Sequence, residues 1–344
     1  MLVVYQLSES ERWDSVVRSF QEYDVFWLSG YVKAFQIHGD GIPLLFYYED
    51  NAVRGINVVM KRDVAQEKHF INIIPEGQYF DFSTPYGYGG WIIEGQNSDG
   101  LFSAYEEWCT NNGIVSEFVR FHPVIGNHID SLKAYEVVPL GNTVALDLSS
   151  PEAIWANITS KNRNMIRKAQ KNGVAIYSGR CPEIYKTFME IYNATMDKDD
   201  AEEYYYFGSE FYQSVLLDLP QNAQVFYAVY EGKIIAASIM LAANGKMSYH
   251  LSGSIREFSN LAPTNLLLYE AALWGYVNGC RSLYLGGGVG SKEDGLYRFK
   301  KSFYRLDDVK RFYIGKKVLN HEKYEQLLEI RGKNDSSFFP KYRA

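Results

Sequence analysis

The residues best suited to chemistry lie between Tyr284 and Phe303, in the run Y-L-G-G-G-V-G-S-K-E-D-G-L-Y-R-F-K-K-S-F. An apolar strand delivers the chain into four glycines, Gly286, Gly287, Gly288 and Gly290. A short helical segment comes next, with Arg298, Lys300 and Lys301 set among aromatics. Without Cβ atoms a backbone can pass close to a ligand and present its N–H groups. Cations just beyond such a loop suit an anionic group, above all a phosphate. The plain alternative is a bulged strand end leading into a surface helix. Neither familiar glycine-rich template fits. A P-loop needs Lys-Ser/Thr after its last glycine, where this chain has Ser291-Lys292. A dinucleotide fingerprint should open a βαβ unit, and the chain beyond this loop does not read as one.

A second cationic group lies in I-T-S-K-N-R-N-M-I-R-K-A-Q-K-N-G, from Ile158 to Gly173. Ile158, Met165, Ile166 and Ala169 share one helical face, while Arg163, Arg167 and Lys171 recur about a turn apart on another. A basic helix face is commonly just solvated. With Arg298 and Lys301 in the same half, Lys161, Arg163 and Arg167 could instead converge on a phosphate-bearing substrate. Phe80 to Trp91, F-D-F-S-T-P-Y-G-Y-G-G-W, cannot be a regular helix or a central strand. It reads as a tight loop with Tyr86 and Tyr88 projecting. These are either a turn plugged by aromatics or walls of a cleft, with Asp81 as an acceptor or base. The histidines, His38, His69, His122, His128, His250 and His321, show no metal spacing, and no metal is expected.

The elements that position these residues come in two copies. Leu45 to Met60, L-F-Y-Y-E-D-N-A-V-R-G-I-N-V-V-M, lines up with Phe226 to Leu241, F-Y-A-V-Y-E-G-K-I-I-A-A-S-I-M-L. Each is an apolar strand, an acidic turn and a second apolar strand, the pattern of a hairpin. Leu101 to Val115 lines up with Leu267 to Arg281, placing Trp108 on Trp274 and Asn112-Gly113 on Asn278-Gly279. Both read as an amphipathic helix stopped by Asn-Gly and succeeded by a strand. The seam falls near 140–150, where S-S-P-E opens a helix with Ser149 and Glu152 in a capping-box pattern. The domains expected are 1–145, 146–330 carrying the active site, and a tail 331–344 that docks as an extended strap.

Bulk properties set the frame. The 344 residues are 47% hydrophobic and 22% charged, enough for a sizeable core in about two domains. With a net charge of −6, bulk electrostatics does not favour nucleic acid, and DNA is not expected as a partner. The 28 tyrosines and 20 phenylalanines suit a core, an interface or a sugar-binding cleft alike. Three cysteines, Cys109, Cys181 and Cys280, are far apart and read as reduced thiols. The N-terminus has no secretory pattern and no apolar run approaches about 20 residues. A cytoplasmic protein without stable membrane insertion is expected, at most peripheral at the inner face of a membrane.

Three segments resemble the FemAB-like non-ribosomal peptidyltransferases: K-N-R-N-M-I-R-K-A, H-L-S-G-S-I-R-E-F-S-N-L-A-P-T-N-L-L-L-Y-E-A, and L-G-G-G-V-G-S-K-E-D-G-L-Y-R-F-K-K-S-F. These are tandem-GNAT proteins that add amino acids to peptidoglycan precursors. The resemblance covers most of 150–305 and, more loosely, the first half. It implies an α/β (α+β) fold of two GNAT-like domains, each a mixed, splayed sheet flanked by helices. It also implies attack by a substrate amine on a thioester or aminoacyl ester entering the splay. By the same resemblance Phe299 and Lys300 stand at the reacting centre, while Lys161, Arg163 and Arg167 face the phosphates of a nucleotide- or lipid-linked envelope precursor. The donor is aminoacyl-tRNA or acyl-CoA, with transfer RNA as partner in the first case. Two departures stand out. No coiled-coil arm is present, and the R/Q-x-x-G-x-A/G turn of CoA-dependent GNAT domains is replaced by Ser259 to Asn265, S-N-L-A-P-T-N. Three readings stay open: a peptidyltransferase, an acyl-CoA-dependent N-acyltransferase acting on a nucleotide-linked amino sugar, and a non-catalytic GNAT-fold binding protein.

Overall fold

A computed structural model describes residues 1–332 and 335–344; residues 333–334 of the expected tail lie outside the described residues. The chain divides into two units, Met1–Leu140 with Phe312–Ala344, and Gly141–Arg311. The seam therefore falls at 140/141, and the segment after 311 returns to the first unit, where a domain running on to residue 330 had been expected. The cause is backbone pairing: Ile314–Val318 joins Ser116–Arg120 as an antiparallel strand of the first unit.

The first unit contains, in chain order, β1 (Leu2–Tyr5), α1 (Ser10–Ser19), α2 (Ser29–His38), β2 (Ile42–Glu49), β3 (Val53–Asp63), β4 (Phe80–Ser83), β5 (Ile92–Gly95), α3 (Asp99–Asn111) and β6 (Ile114–Arg120). β7 (Glu136–Asp147) carries the chain over the boundary. The second unit continues with α4 (Pro151–Asn157), α5 (Ser160–Lys171), β8 (Ala175–Gly179), α6 (Pro182–Lys198), α7 (Ser209–Asp218), β9 (Ala223–Tyr230), β10 (Lys233–Ala243), β11 (Lys246–Ser254), α8 (Pro263–Val277), β12 (Ser282–Gly286) and α9 (Gly295–Lys301). β13 (Lys310–Val318) and α10 (His321–Arg331) complete the first unit. Ser150, rather than Ser149, caps α4 through the N–H of Ala153, because Asp147 engages Ser149 at both its N–H and its hydroxyl.

The duplication read from the sequence is present in the topology of each unit. The matched hairpins are β2–β3 and β9–β10, both antiparallel. In each unit a further antiparallel strand, β4 or β11, then passes through a helix to a parallel neighbour, β6 or β12. A helix crossover is the usual way to join parallel strands. The left-handed stops predicted at Asn-Gly occur at Gly113 (φ 68°) and Gly279 (φ 80°). Strand order is β1-β2-β3-β4-β6-β13 in the first unit and β7-β12-β11-β10-β9-β8 in the second.

In the second unit α8 is apolar nearly all round, since it lies against both the sheet and α5. Its Leu266, Leu267, Leu268, Ala271 and Ala272 join Ile166 and Ala169 of α5 and Met240 and Met247 of the sheet in one core. The tail docks on the first unit as a strap, with Tyr342 wholly buried beside Phe70, Val115 and Leu327. Among the described residues, no helix is long and apolar enough to cross a membrane.

Candidate active site

The site is built where β11 and β12 part. Only Lys246–Ser248 of β11 pair with Ser282–Tyr284 of β12. Beyond that point β12 keeps only its pairing with β7 on the other edge, which runs from Ser282 to Gly286 opposite Val144, while β11 continues to Ser254 along β10. The pairing of β10 with β11 skips at this point: Met240 faces Tyr249 and Ile239 faces Leu251, so His250 is an extra, bulged residue. A bulge bends its strand and re-aims neighbouring side chains. It opens a wedge lined by backbone that has lost its partner strand. Burial pushes the pKa of His250 down to about 3, so the imidazole is neutral here and offers no cation. Burial also raises the Tyr249 phenol, although hydrogen bonds to Ser252 and Ser238 pull the other way.

The glycine-rich turn adjoins this wedge, and its internal bonding changes its expected role. Asp294 caps α9 by accepting from the N–H of Tyr297 at 2.8 Å, and its second oxygen accepts from the N–H of Val289 at 3.0 Å. The place foreseen for a phosphate is thus taken by the chain's own carboxylate. The backbone N–H bonds hold its pKa below the ordinary carboxylate value. Gly288 is required by this packing: a Cβ there would lie 2.3 Å from Asp294 Oδ1 and 2.1 Å from Lys292 O. The signature was legible, since D-G-L-Y places an acidic cap three residues before Tyr297.

Lys300 supplies the buried amine of this element. Its side chain is buried under the turn, and Nζ donates to Gly287 O at 2.7 Å. Burial lowers its pKa to about 8, while Asp294 pulls it back upward. An amine so placed is a cation at neutral pH, held by a short turn beside the wedge. Phe299 next to it packs edge-on against Phe303 at 5.4 Å.

The two basic segments adjoin through the backbone, Thr159 N–H donating to Ser302 O at 2.9 Å. Their charges, however, are largely engaged within the unit. Arg163 donates to Ile158 O at 2.9 Å and Trp155 O at 3.3 Å, closing the junction of α4 with α5. The Arg167 guanidinium lies 5.1 Å from the Trp155 ring. Lys301 donates to the carbonyls of Tyr304 and Leu306. Lys161 and Arg298 are exposed, and among the described residues Arg298 donates to Glu293 O at 3.3 Å. The patches therefore meet as backbone, but most of their guanidinium and ammonium groups serve carbonyls rather than a shared pocket. Arg163→Ala is expected to lower stability by roughly 1–3 kcal/mol in urea unfolding, with substrate KM unchanged. A raised KM at unchanged stability would instead restore it as a ligand-facing residue. Sequence reasoning did not foresee the buried pair beside this helix, Asn265 Nδ2 to Asn162 Oδ1 at 2.8 Å, which ties the first turn of α8 to that of α5.

In the first unit the corresponding gap is filled. Thr84 N–H donates to Phe118 O and Gly89 N–H to Arg120 O, so the chain returns to the β6 side at both ends of the 85–88 loop, with Gly89 bridging in parallel to Phe121. Gly90 fits only without a side chain, because a Cβ would lie 2.8 Å from Val119 Cγ1. Tyr88 packs edge-on to Phe26, His122 and Phe312, and Tyr31 donates its hydroxyl to Tyr86 O. Both tyrosines are half-buried in this aromatic plug. Asp81 is fully buried, bonded through Oδ1 to Arg62 Nε at 2.7 Å and through Oδ2 to Tyr342 and Arg343. Burial alone would raise its pKa, but the two guanidinium groups bring it below the ordinary value. A carboxylate so held is a poor proton acceptor, and the geometry accounts for Asp81 as the anchor of the tail in place of the base anticipated.

Residues 160–301 match the model of the acetyltransferase (GNAT) domain. No curated protein matches the chain in sequence. Among solved structures it is similar to FemX, at 14% identity and a TM-score of 0.69 over 95% of this chain and 99% of that one. It is also similar to the C-terminal domain of a putative lysylphosphatidylglycerol synthetase from Agrobacterium fabrum, at 14% identity and a TM-score of 0.57 over 92% and 93%. A tandem GNAT protein from the clavulanic acid biosynthesis pathway aligns at 8% identity and a TM-score of 0.50 over 93% and 98%. With the matched domain lying on the wedge and Lys300, residues 160–301 form an acetyltransferase domain of GNAT type, and the topology repeated in both units gives the chain a tandem GNAT fold, like that of FemX.

Proposed function

We propose that this acyltransferase moves an aminoacyl group from an ester-linked donor, as in aminoacyl-tRNA, to the amine of a phosphate-bearing cell-envelope precursor of peptidoglycan type. The observation that carries the reading is Lys300, a buried cation beside the wedge between β11 and β12. The acceptor amine attacks the ester carbonyl, the carbonyl oxygen becomes an oxyanion, and the C–O bond to the donor breaks as the oxyanion collapses, the proton lost by the amine passing to the departing oxygen to give the donor's hydroxyl. A fixed ammonium at that oxygen stabilises the charge as it develops. Phe299 shapes the wall beside it, while the exposed Lys161 and Arg298 are cations placed to meet acceptor phosphates. The backbone of Gly286 and Gly287 positions the lysine.

The connection from β11 to α8 favours an ester donor over coenzyme A. Residues 256–261 coil into a 3-10 turn, with Phe258 N–H bonded to Ile255 O and Ala262 N–H to Ser259 O. Those two donors are committed and Pro263 has none, which leaves fewer N–H groups for a pyrophosphate than a regular helix start offers. Kinship in fold with FemX and with a lysylphosphatidylglycerol synthetase domain supports aminoacyl transfer. To test this, the protein is incubated with aminoacylated transfer RNA and a nucleotide-linked muramyl peptide, and acceptor-dependent deacylation is monitored. A parallel arm with acetyl-CoA monitors free thiol. Deacylation with product formation is the expected result. Thiol release alone would move the assignment to a CoA-dependent N-acyltransferase acting on an amino sugar.

A further inference from the structure

A cleft of about 450 Å³ lies in the second unit at the other end of the β11 strand, where the β10–β11 turn meets the C-terminus of α8. β11 has nine residues, which at the ordinary rise of a strand span roughly 25 Å. This cleft opens at Ala243–Met247, whereas the wedge lies beyond Ser248 toward Ser254. It is therefore a separate feature, and the acyl-transfer chemistry does not use it.

Its lining has one unusual property: no residue in it is charged. The polar groups are carboxamides, from Gln221, Asn222, Gln224, Asn244 and Asn278. The apolar part is the half-buried Trp274 with Met240, Met247 and Cys280. Two of the amides are fixed in place, since Asn222 Nδ2 donates to Ala242 O and Asn278 Nδ2 to Trp274 O, each at 2.8 Å. The indole is held edge-on by Phe226 at 5.5 Å. Two cations border the cleft at its rim: the Arg281 guanidinium beside Gly245, and Lys246, whose Nζ donates to Asn244 O at 3.4 Å. A volume of this size is ordinary for a small-ligand site. Carboxamides both donate and accept, so they pair with hydroxyl and acetamido groups, and an indole offers a flat apolar face to a sugar ring. The lining itself offers a charged group no partner, and only a group reaching the rim would meet one.

We propose that this cleft is a binding site for an uncharged saccharide, separate from the acyl-transfer site. Calorimetry on the full chain with N,N′,N″-triacetylchitotriose as the probe tests it, with uridine diphosphate as the charged control. The native protein binds the trisaccharide. Gln221→Ala/Gln224→Ala weakens binding by roughly tenfold or more, at unchanged melting temperature and unchanged aminoacyl transfer. Trp274→Phe, which keeps an aromatic against Phe226, also weakens it. Absence of heat with the native protein, or equal affinity in the native chain and the double variant, overturns the proposal. So does competition for the site by uridine diphosphate. The readout is binding alone, so failure of the acyl-transfer reading leaves it intact, and the reverse holds too.

Discussion

Lys300→Met melts at a higher temperature than the native protein at pH 7 and loses turnover by roughly a hundredfold. Both halves of this result derive from one buried amine. In the unfolded chain Lys300 titrates at its ordinary value of 10.5, and in the fold at about 8, because burial disfavours the ammonium. Between those two values the unfolded chain holds more protons, so stability rises with pH across that window. Below pH 8 the whole cost of burying the charge is present, about 3 kcal/mol by the size of the displacement, partly offset by the bond to Gly287 O. Methionine keeps the length and removes the charge. The gain in melting temperature is therefore largest near neutrality and fades as pH approaches 10.5. Turnover in the native protein should fall as pH rises through about 8, and the residual turnover of the variant should lack that limb. Thermal melts at pH 7 and 10, read beside a pH–rate profile, check the pair. Unchanged turnover would remove Lys300 from the mechanism, and an unchanged melting temperature would show its burial to be compensated.

Asp81→Ala should cost about 3–5 kcal/mol of stability in the first unit. The carboxylate is wholly buried between Arg62 and Arg343, with the Tyr342 hydroxyl on the same oxygen as Arg343. Removing it strips Arg62 of its buried anion and leaves Arg343 with Glu67, at 3.3 Å, as its carboxylate partner. Because the folded pKa of Asp81 lies below its ordinary value of 3.8, the stabilisation is fully present above that value and is lost as pH falls through the folded pKa. Urea unfolding of the variant at pH 7 and of the native protein on acidification measures both effects. Arg343→Ala should reproduce part of the loss, since it removes one partner and the contact to Glu67. A variant of Asp81 that keeps full stability but loses turnover would return it to the role of a catalytic base.

Features set by short-range pattern could be read directly along the chain. Alternation and turn residues place the hairpins at Asp50-Asn51 and Glu231-Gly232, and Asn-Gly marks the ends of α3 and α8. The repeat of these patterns declares the duplication, since hydrophobic periodicity and left-handed stops are local properties of the chain. Lys300 beside its glycines was legible for the same reason, because Gly287 and Lys300 are joined through one short turn and one short helix. Where the charges end, by contrast, was settled only on folding. Arg163 and Arg167 have the spacing of a ligand-facing helix face, yet a guanidinium takes whichever carbonyl or ring lies nearest, and here these are Trp155 and Ile158. Asp81 and Arg343 are 262 positions apart, and no pattern along the chain couples them. Pairing of β13 with β6 returns the last segment to the first unit and creates that contact. Electrostatic partners are chosen by distance in space and by exclusion of water, and neither quantity is written in residue spacing.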